Sequence, residues 1–157
     1  MASERRVALC VARFYTELAD KLEEGARGAL HEASVSDEDV DRFEVPGAFE
    51  LPLIARYAAE TGRYDAIICL GAVIRGETDH YDYVCGEAAR GIQQVQLLTG
   101  IPCGFGVLTV DFIEQALERV SGGSKRDTGR HAVEAALASL AVKEQLSAKR
   151  GPAGFAA

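Results

Sequence analysis

The chain has 157 residues, 48% hydrophobic and 26% charged, with a net charge of −7 at neutral pH. That length suits one domain with one core, residues 7–148 carrying the patterned part. The charge argues against nucleic acid or an anionic membrane as partner, though not against an anionic small substrate at a local basic site, and no apolar stretch approaches the roughly 20 residues of a membrane span.

The start of the chain is polar and the next apolar run is short, so no secretory signal is visible. Val7 to Ala12 is continuously apolar, as expected of a central parallel strand. Leu18, Leu22, Ala26 and Leu30 then repeat at helical spacing, with Glu23, Glu24 and Arg27 outside. A polar linker, Ser34 to Asp39, leads to Val40 to Val45, whose alternation predicts a half-exposed strand near an edge. Pro46-Gly47 stops it. A helix is expected from about Glu50 to Gly62, carrying Leu51, Ile54, Ala55 and Ala58 inward.

Ala66 to Leu70 reads as the third strand, and Gly71 and Gly76 as the brackets of a short loop. Thr78 or Asp79 can cap a helix that runs to about Leu98 and closes at Gly100 and Pro102. Cys103 to Leu108 is the fourth strand. Asp111 is placed to cap a fourth helix, with Glu114 or Gln115 completing a capping box, and Ser121 to Ser124 breaks it. The last helix is expected over Thr128 to Leu146, with Ala132, Ala135, Leu137, Leu140 and Val142 on its buried sides, and Gly151 onward frayed.

Strands alternating with helices predict an α/β fold with a four-stranded parallel sheet between two helical layers. Ligands in such folds sit at the carboxyl ends of the strands. The turn before the third helix is an anion site by its own physics, because first-turn N–H groups are unpaired and the helix dipole favours negative charge. His80 lies in that turn, and histidine is the residue type best suited to moving protons at physiological pH, which fits proton transfer in a phosphorylated substrate. A helix-start histidine can equally be satisfied by solvent. The four cysteines, Cys10, Cys69, Cys85 and Cys103, lack metal-ligand spacing and read as small apolar residues kept reduced in the cytoplasm.

Five segments in fixed order carry a more specific signal. They are Ala12 to Tyr15, Val45 to Pro52, Leu70 to Val84, Gly106 to Thr109 and Ile113 to Arg119. Together they resemble the lumazine synthase family, from about residue 7 to the end of the last helix. The resemblance implies a flavodoxin-like three-layer sandwich and a transferase of riboflavin biosynthesis. The implied reaction condenses 5-amino-6-(D-ribitylamino)uracil with 3,4-dihydroxy-2-butanone 4-phosphate to give 6,7-dimethyl-8-ribityllumazine.

It also implies roles. Phe14 would stack on the pyrimidine, although an aromatic there can simply cover a strand end. Ala48, Phe49 and Glu50 would hold the ribityl chain, and the main chain of Ala72, Val73 and Ile74 would read the pyrimidine edge. Gly76, Glu77 and Thr78 would bind phosphate together with Arg119, which by itself reads as a solvated helix-end arginine. His80 would be catalytic, and Phe105 would close the pocket from a neighbouring subunit. No cofactor or metal is implied.

The implied partners are the small-molecule substrates, further copies of the chain with active sites between subunits, and riboflavin synthase as a candidate. The short segment before the first strand and the long turn from Ser121 to Asp127 favour a pentamer or a pair of pentamers over a shell. One position departs from the family pattern: Thr128 stands where many members have lysine, and Lys125, Arg126 or Arg130 could supply the charge. A non-catalytic flavin or lumazine carrier would keep Phe14 and Phe105 but would not need His80 or Arg119. A receiver domain needs an acidic cluster after its first strand, where Arg13-Phe14-Tyr15 stands, and a flavodoxin needs a phosphate loop there.

Overall fold

A computed structural model describes residues 4–148. Strands and helices alternate as β1 (Val7–Ala12), α1 (Thr16–Glu32), β2 (Val40–Val45), α2 (Leu51–Glu60), β3 (Ala66–Ile74), α3 (His80–Thr99), β4 (Cys103–Val110), α4 (Ile113–Leu117) and α5 (Thr128–Ala148). All strand pairings are parallel, in the order β2-β1-β3-β4. This is the flavodoxin-like order, and the sandwich has three layers. One helical layer, α1 and α5, packs around Leu9, Leu22 and Ile68. The other, α2 and α3, packs around Cys10, Ile67 and Cys69.

β1 lies between two strands and under both layers, and all six of its residues are buried. Its uninterrupted apolar run follows from that position. β2 has a pairing partner on one side only, and its middle residues are half-exposed or exposed. Arg42 on this edge bonds the Glu23 carboxylate at 2.8 Å, so Glu23 bridges α1 to the sheet edge.

The start of α5 seats directly on α1. A Cβ at Gly129 would overlap the Leu22 carbonyl, and one at Gly25 would overlap the Asp127 carboxylate. At Gly129 only glycine lets the two backbones approach this closely, and at Gly25 it leaves room for the Asp127 side chain. Asp127 caps α5 by accepting from the Arg130 N–H at 3.2 Å. Arg130 then grips Glu32 with two bonds of 2.6 and 3.0 Å.

Several expectations are corrected. β3 does not stop at Leu70 but continues through Ala72, Val73 and Ile74, because β4 runs alongside to Val110 and pairs with it. Gly71 is therefore a strand residue. A Cβ there would lie 3.0 Å from the Ala12 Cβ, so the glycine answers a close approach and not a turn. α4 is a short helix that ends at Leu117, which leaves Arg119 in the turn beyond it. Gln115 closes its start by accepting from the Asp111 and Phe112 N–H groups, while the Asp111 carboxylate turns to Arg75.

In α5 the buried stripe is Gly129, Ala132, Val133, Ala136, Leu137 and Leu140. Ala135 falls off that stripe and is exposed, and Val142 is exposed because the helix continues past the layer it packs on. The fraying expected from Gly151 onward lies outside the described residues.

Candidate functional site

The carboxyl ends of β1, β2 and β3 open on a cavity of about 660 Å³. Three chain segments build it. The first is Phe14, just past β1, where the Arg13 N–H bonds the Val45 carbonyl at 3.0 Å and aligns the two strand ends. The Phe14 ring is 72% exposed and meets Tyr15 edge-on at 4.9 Å, so one face is open to the cavity.

The second segment follows β2. Gly47 is extended, and a single helical turn spans Ala48–Glu50 before α2. Glu50 Oε1 accepts from the Gly47 N–H at 2.9 Å, which fixes the turn and leaves the other carboxylate oxygen for a ligand. Ala48 is buried beneath, whereas Phe49 stands out over the cavity at 57% exposure.

The third segment is the end of β3 with the start of α3. β1 pairs with β3 only as far as Leu70, while β4 pairs with it to Ile74. Along Ala72–Ile74 the edge facing β1 has no strand partner, so its main-chain groups face the cavity as a short open ladder. A flat heterocycle with alternating donors and acceptors can pair with such an edge. Beyond it, Gly76 and Thr78 line the cavity, and His80 begins α3. The Thr78 hydroxyl accepts from the His80 N–H at 3.3 Å, so Thr78 provides the side-chain contact at the helix start, and Asp79 contributes its carbonyl but no side-chain bond.

The structure thus brings Phe14, Ala48, Phe49, Glu50, Ala72, Val73, Ile74, Gly76, Thr78 and His80 to one cavity. Glu77, Phe105 and Arg119 do not line it. Phe105 is 40% exposed on β4, the far edge of the sheet. Arg119 Nη1 donates to the Gln115 carbonyl at 2.8 Å and approaches Glu118 at 3.3 Å, within its own turn.

A family model described as 6,7-dimethyl-8-ribityllumazine synthase matches residues 4–144. The chain belongs to that family. A 6,7-dimethyl-8-ribityllumazine synthase of Desulfatibacillum aliphaticivorans is 50% identical over 136 residues, which is 85% of this chain and 88% of the relative. One of Deinococcus radiodurans is 50% identical over 127 residues, covering 80% and 82%.

Pro46, Tyr81 and Tyr83 also line the cavity; they fall within the segments Val45 to Pro52 and Leu70 to Val84, but no ligand contact is expected of them from the sequence. Outside that resemblance, Pro46 is expected only to stop the second strand. Tyr83 and Val84 stand three and four residues after His80, and helical periodicity from His80 would have found them.

None of Lys125, Arg126 and Arg130 reaches the cavity. Arg130 is committed to Glu32, and Arg126 sits 2.6 Å from His131 Nδ1. The cysteines are poor nucleophiles. Burial pushes the Cys103 thiol up to about 12, and the adjacent Cys10 thiol together with burial raises Cys69 well above its usual range. Among the described residues no cluster of His, Cys, Asp or Glu is placed to hold a metal, and no helix is long and apolar enough to cross a membrane.

Proposed function

We propose that the chain catalyses the lumazine-forming step of riboflavin biosynthesis. It would condense 5-amino-6-(D-ribitylamino)uracil with 3,4-dihydroxy-2-butanone 4-phosphate, giving 6,7-dimethyl-8-ribityllumazine, phosphate and two waters. The observation that carries this reading is the single cavity in which an exposed aromatic ring, an open main-chain edge and a helix start with a histidine converge.

Each part meets a chemical need. The Phe14 ring can stack on the pyrimidine, a contact of about 1 kcal/mol beyond burial. The Ala72–Ile74 edge can pair with the uracil carbonyls and N–H groups. The remaining Glu50 oxygen can accept from the ribityl hydroxyls. Gly76, Glu77 and Thr78 offer main-chain N–H groups and a hydroxyl to the phosphate. Holding both substrates in register removes much of the entropic barrier. The aromatic amine then attacks the ketone, and the first water leaves as the imine forms. Phosphate departs by elimination, and ring closure releases the second water. His80, which lines the same cavity, would carry protons between these steps.

The chain is further proposed to act as a homo-oligomer, a pentamer or a pair of pentamers, in which Phe105 and Arg119 complete the cavity of an adjacent copy. That neither lines the cavity of its own chain supports this. So do the exposed apolar side chains of α2 and α3, Leu53, Tyr57, Tyr83, Leu97 and Leu98, which lie at 52% exposure or more. The place of action is proposed to be the cytoplasm. Mixing the purified protein with both substrates tests the reaction: lumazine fluorescence and one equivalent of phosphate are expected, and tight pyrimidine binding without turnover would mean a carrier instead.

A further inference from the structure

Arg75 stands between Ile74 and Gly76, which both line the cavity, yet Arg75 itself does not. Its guanidinium turns the other way. It lies over the Tyr81 ring, 4.2 Å from the centroid. Its Nε donates to Asp111 Oδ1 at 2.8 Å, and its Nη1 is 3.7 Å from the Asp82 carboxylate. Its own N–H bonds the Val110 carbonyl at 2.9 Å. One residue therefore ties together the end of β3, the first turn of α3 and the turn after β4.

Both of its main partners are themselves held. The Tyr81 phenol lies against the Thr109 hydroxyl and the Cys85 thiol, and burial raises its pKa. The Asp111 N–H donates to Gln115 Oε1 at 2.7 Å, and the Gln115 carbonyl accepts from Arg119. A continuous set of contacts thus runs from the turn bearing His80, through Arg75, to Arg119. By contrast the loop from Gly76 to Asp79 is exposed, and its bonds are local: the Thr78 hydroxyl accepts from the His80 N–H at 3.3 Å, and the Asp79 carbonyl accepts from the Asp82 and Tyr83 N–H groups at 3.0 and 3.4 Å.

We infer that Arg75 is a positioning residue: it clasps the Gly76–Thr78 loop and the His80 turn to the β4–α4 turn, and so sets the geometry of the anion subsite. This rests on the function proposed above. The ion pair with Asp111 is about half-exposed on both sides, at 46% and 51%, so it adds little to global stability. Its value is in placement, where a displacement of about an ångström can cost up to 10²-fold in rate. The clasp needs a planar group that stacks through its face and donates through its edge, which lysine cannot do.

The test uses Arg75→Met, Arg75→Lys, Asp111→Asn and the Arg75→Met/Asp111→Asn double variant in the full chain. Arg75→Met is expected to leave the melting temperature nearly unchanged and to raise KM for the phosphorylated co-substrate about tenfold, with pyrimidine KM little altered. Hydrogen exchange at the amides of residues 76–80 should accelerate, and Arg75→Lys should behave like Arg75→Met. The double variant should be no worse than the poorer single one, since both remove one clasp. Full rescue by lysine, additive losses or unchanged exchange would overturn the assignment. Should the wild-type chain form no lumazine, the proposed function falls, and the exchange measurement still decides the clasp.

Discussion

The two ends of the sheet are built to opposite specifications. At the amino ends of the strands polar groups are largely spent on one another. Tyr64 is buried and donates to Asp41 at 2.7 Å. Asp41 also takes Arg6 at 3.2 Å, and Arg6 and Asp65 exchange main-chain and carboxylate bonds at 2.8 and 2.9 Å. Among the described residues Arg6 Nε is the buried side-chain polar atom without a partner. At the carboxyl ends, rings stand exposed, a strand edge is open and a loop hangs on few contacts. Satisfied groups stabilise, whereas unspent ones are available to a ligand. The contrast therefore assigns stability to one end and chemistry to the other, and variants should separate along that line.

The largest effect is expected from His80→Ala. His80 is exposed at a helix start, so the fold should survive. Turnover should drop by about 10²–10⁴-fold, as for loss of a general acid–base. A normal rate constant would take His80 out of the mechanism and blunt the contrast. Arg119→Ala comes next. The affinity for the phosphorylated substrate should fall by about 10–100-fold, in line with the loss of a charge-assisted bidentate contact. Arg119→Lys should restore little. Equal weakening of both substrates would make Arg119 a structural residue of its turn.

The smallest effect belongs to the other end. Tyr64→Phe should cost about 1 kcal/mol at neutral pH and leave activity per folded molecule unchanged. Its pH dependence has a definite sign. The Tyr64 hydrogen bond is the main cause that lowers the Asp41 pKa. Its contribution is complete above the unfolded carboxylate value of about 4, and it is lost as pH falls through the lower folded value. Burial, then the bond to Asp41, raises the Tyr64 pKa. That contribution is complete below about pH 10 and fades as pH rises through the folded value. Urea melts of both chains across pH should show the gap narrow at each extreme, and a constant gap would break the assignment.

How far this was readable in sequence follows from what each signal reports. Continuous apolar runs gave β1 and the start of β3, and helical spacing gave the buried stripe of α1, because burial imposes those periods directly. The glycine rule failed at Gly71, where the demand is space against Ala12 and not a turn. It also could not show that α4 ends before Arg119. The half of the candidate site at the strand ends was legible, since topology places it. Tyr81 and the clasp with Arg75 were not, because nothing in local spacing says that residues 75, 81 and 111 meet.

The carboxyl-end site is proposed to be completed by a second copy. Complementation tests it most directly. His80→Ala and Arg119→Ala chains are each made alone, then unfolded together, refolded as mixed oligomers and assayed for lumazine formation. If His80 and Arg119 of one site come from different chains, random mixing restores intact sites at about a quarter of the wild-type number. Activity should rise well above the mean of the two variants toward that level. A mixture no more active than that mean, with mixed oligomers confirmed by native mass spectrometry, would place both residues in one chain's site and contradict the account.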